Sequence, residues 1–285
     1  MRLLFLYPRS TANKANTAFD WLRETAKDFG IELRIAFFEE VTLLYPSYSD
    51  SIMIGGEPYP LPDVALLRGY DLNLGQHLER KGVRVVNPSI SMEYARNKLL
   101  THQILSSKGI PSIRTLYSHS YDFDMVAAAL ELPFVAKSLV GSCGDGVYLV
   151  DSRESFERVV EQHKDVLVQS FISNSTGRDI RVWVIGDRVA GAVLRYNSDS
   201  FLSNYAQGGS AMAINLPPEV EELALRSTRA LGLDFAGVDI LFDKGDRYVV
   251  CEVNANAGFR THSIVSHDPQ LSIPHQLFEY ISQLG

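Results

Sequence analysis

The 285-residue chain has two cysteines, Cys143 and Cys251. They stand far apart and in no metal-ligand spacing, which excludes a disulfide-stapled scaffold and suits a reducing, cytoplasmic setting. No basic run occurs, and the formal net charge is −7. A nucleic-acid partner is therefore not expected, although an acidic chain can still hold anions in local basic pockets. The apolar run in MRLLFLYPRS stops at Pro8-Arg9. It is too short for a signal core or a membrane span and reads as a first buried strand, so no membrane partner is expected. Neither a P-loop nor an HExxH pair occurs among the motifs, and no repeat or low-complexity tract is present. What remains is an ordinary globular composition, 46% hydrophobic and 21% charged, long enough for two or three packed lobes.

Along the chain, strand and helix patterns alternate. Leu3 to Tyr7 is apolar throughout, as in a parallel strand covered on both faces. A helix over 17–29 closed by Gly30, strands at 31–38, 64–67 and 83–86, and a helix at 72–80 predict a small α/β lobe with a parallel sheet over residues 1–90. Residues 39–60 carry turn residues and are expected to wander. One continuous helix is predicted over 90–108. Short strands at 113–117, 134–137, 147–150 and 166–172, with helices at 124–130 and 155–162, define a central lobe over 91–172. The hairpin 179–195, the helix 218–231, a second hairpin over 237–254 and a closing helix near 276–283 define a third lobe over 173–285.

The second hairpin is the richest stretch. Glu252 and Asn254 fall on one strand face, with Cys251 and Val253 on the other, and Asp239 projects from the facing strand. Two carboxylates and an amide oxygen converging from an apolar hairpin are costly unless paired or metal-bound, and hard oxygen donors suit Mg²⁺. The loop Gly141, Ser142, Cys143, Gly144, Asp145, Gly146 lies between two strands, with Lys137 just before it. Such a loop frees backbone N–H groups for phosphate oxygens, and lysine is a point-charge phosphate ligand. The other reading of this loop is a plain flexible turn. Gln169, Ser170, Phe171 and Ile172 end an apolar strand against which an adenine could lie. Asp179 and Arg181 share a strand face; Asp179 could bond ribose hydroxyls or pair with an arginine. Arg195 and Asn204 come from a strand end and the loop after it, where an arginine could stabilise charge on a transferring phosphoryl group. Gly258 and Arg260 follow the metal hairpin directly, and Arg260, like Arg68 at a first-lobe strand end, could grip a carboxylate.

The order Lys98, Lys137, glycine loop, Gln169 segment, Asp179-Ile-Arg181, Arg195, Ser203-Asn204, Gly237-Val-Asp239 and Glu252-Val-Asn254 resembles the ATP-grasp superfamily, and within it the RimK-like carboxylate–amine ligases. The resemblance spans roughly residues 60–262 and is strongest in VQSFISNSTGRDIRVWVIGDRVAGAVLR and AGVDILFDKGDRYVVCEVNANAGF. It implies an α/β chain of α+β lobes: a parallel-sheet N-terminal domain, a central lid domain and an antiparallel C-terminal domain. ATP would be gripped between the lobes. Lys98 and Lys137 would contact phosphates under a flap at 141–146, residues Gln169 to Ile172 would meet adenine, and Asp179 would meet ribose. Asp239, Glu252 and Asn254 would hold Mg²⁺, with Mn²⁺ as the alternative ion. A carboxylate substrate would become an acyl phosphate and then an amide with an amine, on a small molecule, a peptide or a protein tail. Relatives commonly self-associate, which implies a homo-oligomer. Two departures are visible: Leu202 where relatives carry a base, and Ala257-Gly258 where they carry Pro-Gly. Leu202 keeps open a nucleotide-binding module without turnover.

Overall fold

The computed structural model describes all residues except 11–15, 46–50, 142–145, 164, 204–207, 260, 263–265, 267 and 285. Ser142, Gly144, Asn204 and Arg260 therefore lie outside the described residues. The N-terminal part runs β1 (Arg2–Tyr7), α1 (Asn16–Asp28), β2 (Glu32–Phe37), β3 (Val41–Thr42), β4 (Ser51–Ile54), β5 (Glu57–Pro60), β6 (Val64–Leu67), α2 (Leu72–Arg80) and β7 (Arg84–Val86). A parallel sheet forms in the order β2-β1-β6-β7. Its continuous apolar strands follow from cover on both faces. Leu4 and Leu6 of β1 pack with α2 and Ile52 and Ile54 of β4, while Leu3 and Phe5 face the opposite way. The expectation that 39–60 wanders is corrected: β3-β4-β5 form a small antiparallel sheet, with Gly55 and Gly56 at positive φ turning β4 into β5.

The single helix expected over 90–108 is two helices, α3 (Ser89–Arg96) and α4 (Lys98–Ser107). Asn97 leaves helical geometry at φ −93°, ψ 108°, and its side chain accepts from the backbone N–H groups of Leu99 and Leu100. An asparagine capping its own downstream turn competes with helix continuation. The break puts Lys98 in the first turn of α4 instead of on a mid-helix face. The next segment adds β8 (Thr115–Leu116), α5 (Phe123–Leu130), β9 (Phe134–Ser138), β10 (Val147–Val150), α6 (Arg153–Gln162) and β11 (Val166–Ser170). Its antiparallel sheet, β10-β9-β11-β8, packs Phe134, Ala136 and Val168 against Val126 of α5 and Phe156 of α6.

The last segment holds β12 (Arg178–Ile185), β13 (Arg188–Tyr196), β14 (Ser210–Ala213), α7 (Pro218–Ala230), β15 (Phe235–Phe242), β16 (Tyr248–Asn254) and α8 (Ile273–Ser282). The antiparallel sheet runs β14-β13-β12-β15-β16. One face, with Ile180, Val182, Val238 and Ile240, packs under α7. The other carries Trp183 and Phe235 into a core shared with Leu3 and Phe5 of β1, Leu22 of α1 and Phe278 of α8. The closing helix begins at Ile273, earlier than expected, because Ser272 caps it and Pro274 occupies its first turn.

Asn87 ties the first sheet to the last. It is 2% exposed, and its amide makes four bonds to backbone groups. Nδ2 donates to the carbonyls of Phe235 (2.8 Å) and Ala255 (2.9 Å). Oδ1 accepts from the N–H groups of Asp234 (2.8 Å) and Phe235 (2.7 Å). Asn87→Leu strips partners from buried backbone groups and is expected to cost about 2–4 kcal/mol in chemical denaturation at pH 7. A loss under about 1 kcal/mol would contradict this role.

Candidate active site

The site grows from the alternation of strands. Asp179, Arg181 and Trp183 of β12 share a face, as do Phe235, Gly237 and Asp239 of β15. The inner half of this face is the shared core, and the outer half carries charge. Glu252 of β16 stands directly opposite Asp239, and Asn254 opposite Gly237, so all three expected metal donors lie on one sheet face. Gly237 is required here, since a Cβ would come within 2.5 Å of the Ala257 side chain and 3.2 Å of Arg181 Cδ.

Two carboxylates and two guanidinium groups form one buried cluster on this face. Asp239 is bonded by Arg181 through Nε and, at 2.8 Å, through an Nη nitrogen. Arg195 bonds Asp179 through Nε at 2.7 Å and again through Nη2, which also lies 3.0 Å from Asp239. Asp179, Arg195 and Asp239 are each 5% exposed. Burial alone would raise the pKa of Asp239, but the charges and bonds of Arg181 and Arg195 outweigh it and hold the carboxyl below its usual range. Burial opposes charge on Arg195 as well, and two carboxylates reverse that and hold it firmly cationic. Asp179, expected to meet a ribose or an arginine, is bonded by Arg195 and also lines the cavity above the cluster. Arg195 and Arg181, expected to meet reacting groups or substrate, spend their guanidinium groups on these two acids.

Above the cluster lies an open cavity with about 830 Å³ of empty space. Lys98 of α4 and Lys137 of β9 enter it beside Cys251 and Glu252. Lys98 Nζ lies 3.6 Å from Glu252 Oε1 and 3.0 Å from the Gly141 carbonyl. Lys137 Nζ lies 3.6 Å from Cys251 Sγ. Ser170, Phe171 and Ile172 also line it, with Ile113, Val135 and Leu241. Gly146, at φ 70°, closes the flap hairpin against Ser138, where a Cβ would meet Ser138 Oγ at 2.5 Å.

Simple alternation places Cys251 in the core, opposite Glu252. That expectation is corrected. Asp239 pairs with Glu252 but Ile240 with Val250, so Cys251 is the extra residue of a β-bulge, and its thiol joins the cavity wall. Burial raises the pKa of this thiol, which suits a wall residue more than a nucleophile.

Arg68 and Gly258 are not among the residues that line the cavity. Arg68 is 9% exposed, donates to the Ala257 carbonyl at 2.8 Å and lies over the rings of Phe235 and Phe259 at 5.5 and 5.4 Å. Among the described residues no carboxylate pairs with it, and its Nε has no partner. Gly258 is exposed at its Cα, and its carbonyl accepts from Trp183 Nε1.

Residues 95–281 match the model of the RimK-like ATP-grasp domain. The chain belongs to the RimK-like ATP-grasp family. It is 32% identical over 275 residues to a probable alpha-L-glutamate ligase of Maridesulfovibrio salexigens, covering 92% of this chain and 90% of that protein. A probable alpha-L-glutamate ligase of Legionella pneumophila is 33% identical over 242 residues, 80% and 79% of the respective chains. The fold is similar to that of ATP-grasp ligase PsnB complexed with minimal precursor, at TM-score 0.75 and 20% identity over 100% and 99% of the two chains. It is also similar to a RimK domain protein ATP-grasp from Sphaerobacter thermophilus, at TM-score 0.74 and 21% identity over 98% and 99%. As a RimK-like ATP-grasp protein, the chain is an enzyme, an ATP-dependent carboxylate–amine ligase. No helix among the described residues is long and apolar enough to cross a membrane.

Sequence reasoning passed over His102, one turn beyond Lys98 on α4, although it is 6% exposed. Its Nε2 lies 2.7 Å from Gln169 Nε2. Burial, helped by the nearby charge of Lys137, pushes its pKa down to about 4. A histidine neutral when folded but ordinary when unfolded binds fewer protons in the native state. Its contribution is therefore intact above pH 6.5 and lost as pH falls toward 4. Over that window the native protein should lose about 3 kcal/mol that a His102→Met variant does not lose. Denaturation of both proteins at pH 7 and pH 4.5 checks this, and parallel losses would contradict it.

Proposed function

We propose that this ligase binds Mg²⁺–ATP in the cavity above the charged cluster and activates a substrate carboxylate as an acyl phosphate. The observation that carries the reading is convergence. Two lysines from separate elements and a carboxylate-bearing sheet face meet in one cavity, whose wall also carries the apolar side chains of Phe171, Ile113 and Val135. Lys98 and Lys137 neutralise phosphate charge. Ser170 to Ile172 meet the base. Asp239, Glu252 and Asn254 are hard oxygen donors on one face and suit Mg²⁺, which when bound supplies charge neutralisation at the phosphates. Asn254 Nδ2 stands 3.4 Å from Asp239 Oδ2, so the amide would turn for its oxygen to join the acid on one metal ion. Arg181 and Arg195 act through Asp239: they keep it ionised and fixed at the sheet face.

In the reaction, a carboxylate oxygen attacks the γ-phosphorus and ADP leaves. The amine then attacks the acyl carbon, phosphate leaves, and the amine's proton passes to solvent or phosphate. Little covalent work falls to the protein, which positions the reactants and holds charge. The names of the relatives make an amino acid such as glutamate the first substrate to test. The Arg68 environment supports an anionic group at the 257–259 segment, because a buried guanidinium without a carboxylate is unfavourable until an anion joins it.

Phosphate release from Mg²⁺–ATP with pooled carboxylates and amines, followed by product mass, tests the reading. A product equal to donor plus acceptor minus water is expected, together with a loss of at least about 100-fold in kcat for Lys137→Met and for Glu252→Gln. A product of any other composition, or unchanged turnover in both variants, would overturn it. Arg68→Met should raise the KM of the anionic substrate about tenfold or more and leave the KM of ATP in place. Equal shifts in both constants would contradict the carboxylate role.

A further inference from the structure

We infer that Trp183 is a positioning residue for the anionic substrate: it fixes where Gly258 and Phe259 stand against Arg68, and so sets the affinity for that substrate and not for ATP. The inference rests on the reading of Arg68 as the anion's partner. Trp183 lies in the middle of β12, fully buried, opposite Gly237 of β15. The residues that follow β16 come back over this same sheet face. The Ala257 side chain fills the space above Gly237, where a Cβ would come within 2.5 Å of it. The indole Nε1 donates to the Gly258 carbonyl at 3.0 Å. The His262 ring stands edge-on to the indole, with 5.5 Å between centroids and 80° between planes. Gly191 of β13 leaves room for that ring, since a Cβ there would lie 2.4 Å from the imidazole.

One rigid side chain therefore holds Gly258 by its carbonyl and His262 by its ring. An indole has a single donor and no acceptor, and a buried indole N–H needs a partner, so the Gly258 carbonyl is bound in one place and direction. The His262 N–H donates to the Phe259 carbonyl at 3.1 Å and closes the turn between the two held residues.

Arg68 meets this segment on either side of Gly258. It donates to the Ala257 carbonyl at 2.8 Å, and its guanidinium carbon lies 5.4 Å from the centre of the Phe259 ring. A shift of Gly258 would move both contacts, and with them the guanidinium. Displacing a binding group by about 1 Å is enough to weaken productive binding strongly. None of Trp183, Gly191, Gly258, Phe259 and His262 lines the cavity that holds Lys98 and Lys137, so the effect should fall on the acid and spare the nucleotide.

Trp183→Phe keeps a ring in the core and removes the donor, and Gly258 is exposed, so water can take the freed carbonyl. Phosphate release from Mg²⁺–ATP is followed against L-glutamate and against every acid that the pooled assay shows to be a substrate. The KM of the acid should rise about tenfold, with kcat and the KM of ATP within about twofold of wild type. A merely structural role would lower the active fraction, and hence kcat, and leave both KM values in place; that result, or equal rises in both KM values, would overturn the inference while Arg68→Met still tests the reading of Arg68 separately. Should Trp183→Phe fail to fold, the native indole serves as the reporter. Trp21→Phe, at an exposed position of α1, leaves Trp183 as the one tryptophan of the chain. The substrate acid should then change its emission, and Mg²⁺–ATP alone should not. Emission indifferent to the acid would overturn the inference. An unchanged KM of the acid in Arg68→Met would overturn the reading of Arg68, and the inference with it.

Discussion

The arrangement depends on one electrostatic constraint: two carboxylates cannot sit side by side in a protein interior unless cations neutralise them. Asp179 and Asp239 do sit so, and Arg195 lies within bonding distance of both while Arg181 completes Asp239. The four charges cancel. Taking one arginine away would leave an uncompensated acid, a change that commonly costs about 3–5 kcal/mol in buried pairs. The cluster therefore fixes β12, β13 and β15 relative to one another at the floor of the cavity, and it keeps Asp239 ionised beside Glu252.

Everything else in the site reaches that floor from a separate direction. Lys98 comes from a helix start that exists because Asn97 caps it, Lys137 from the flap hairpin, and Cys251 from a bulge. The first sheet contributes rigidity. Its β1 strand shares a core with Trp183 and Phe235, and Asn87 bonds the backbone of Asp234, Phe235 and Ala255. Arg68 uses the same seam, reaching across to the Ala257 carbonyl. The loop that follows β16 is thereby held by the N-terminal sheet.

The larger elements were legible because periodicity reports burial. The all-apolar β1 announced a sheet covered on both faces, and the hairpin at 237–254 announced itself through its turn and its out-of-place acids. The co-location of Asp239, Glu252 and Asn254 followed from a period of two. Failures arose where one residue overrides the pattern. Asn97 splits a helix that looks continuous, because its side chain captures backbone donors. The bulge at Cys251 moves one residue to the other face without altering composition. The partners of Asp179, Arg181 and Arg195 were hidden for a different reason: a lone charged side chain on a strand reads the same whether it meets substrate or another strand's charge. His102 and Asn87 gave no signal, since their meaning lies in contacts with residues 67 and 147 or more positions away.

The most direct test of the central claim is a crystal structure of the protein with Mg²⁺ and a non-hydrolysable ATP analogue. The account predicts the phosphates between Lys98 and Lys137, the metal on Glu252 and Asp239, and Arg181 and Arg195 still bonded across Asp179 and Asp239. A nucleotide bound elsewhere, or a metal held away from Glu252 with the charged cluster dispersed, would contradict it.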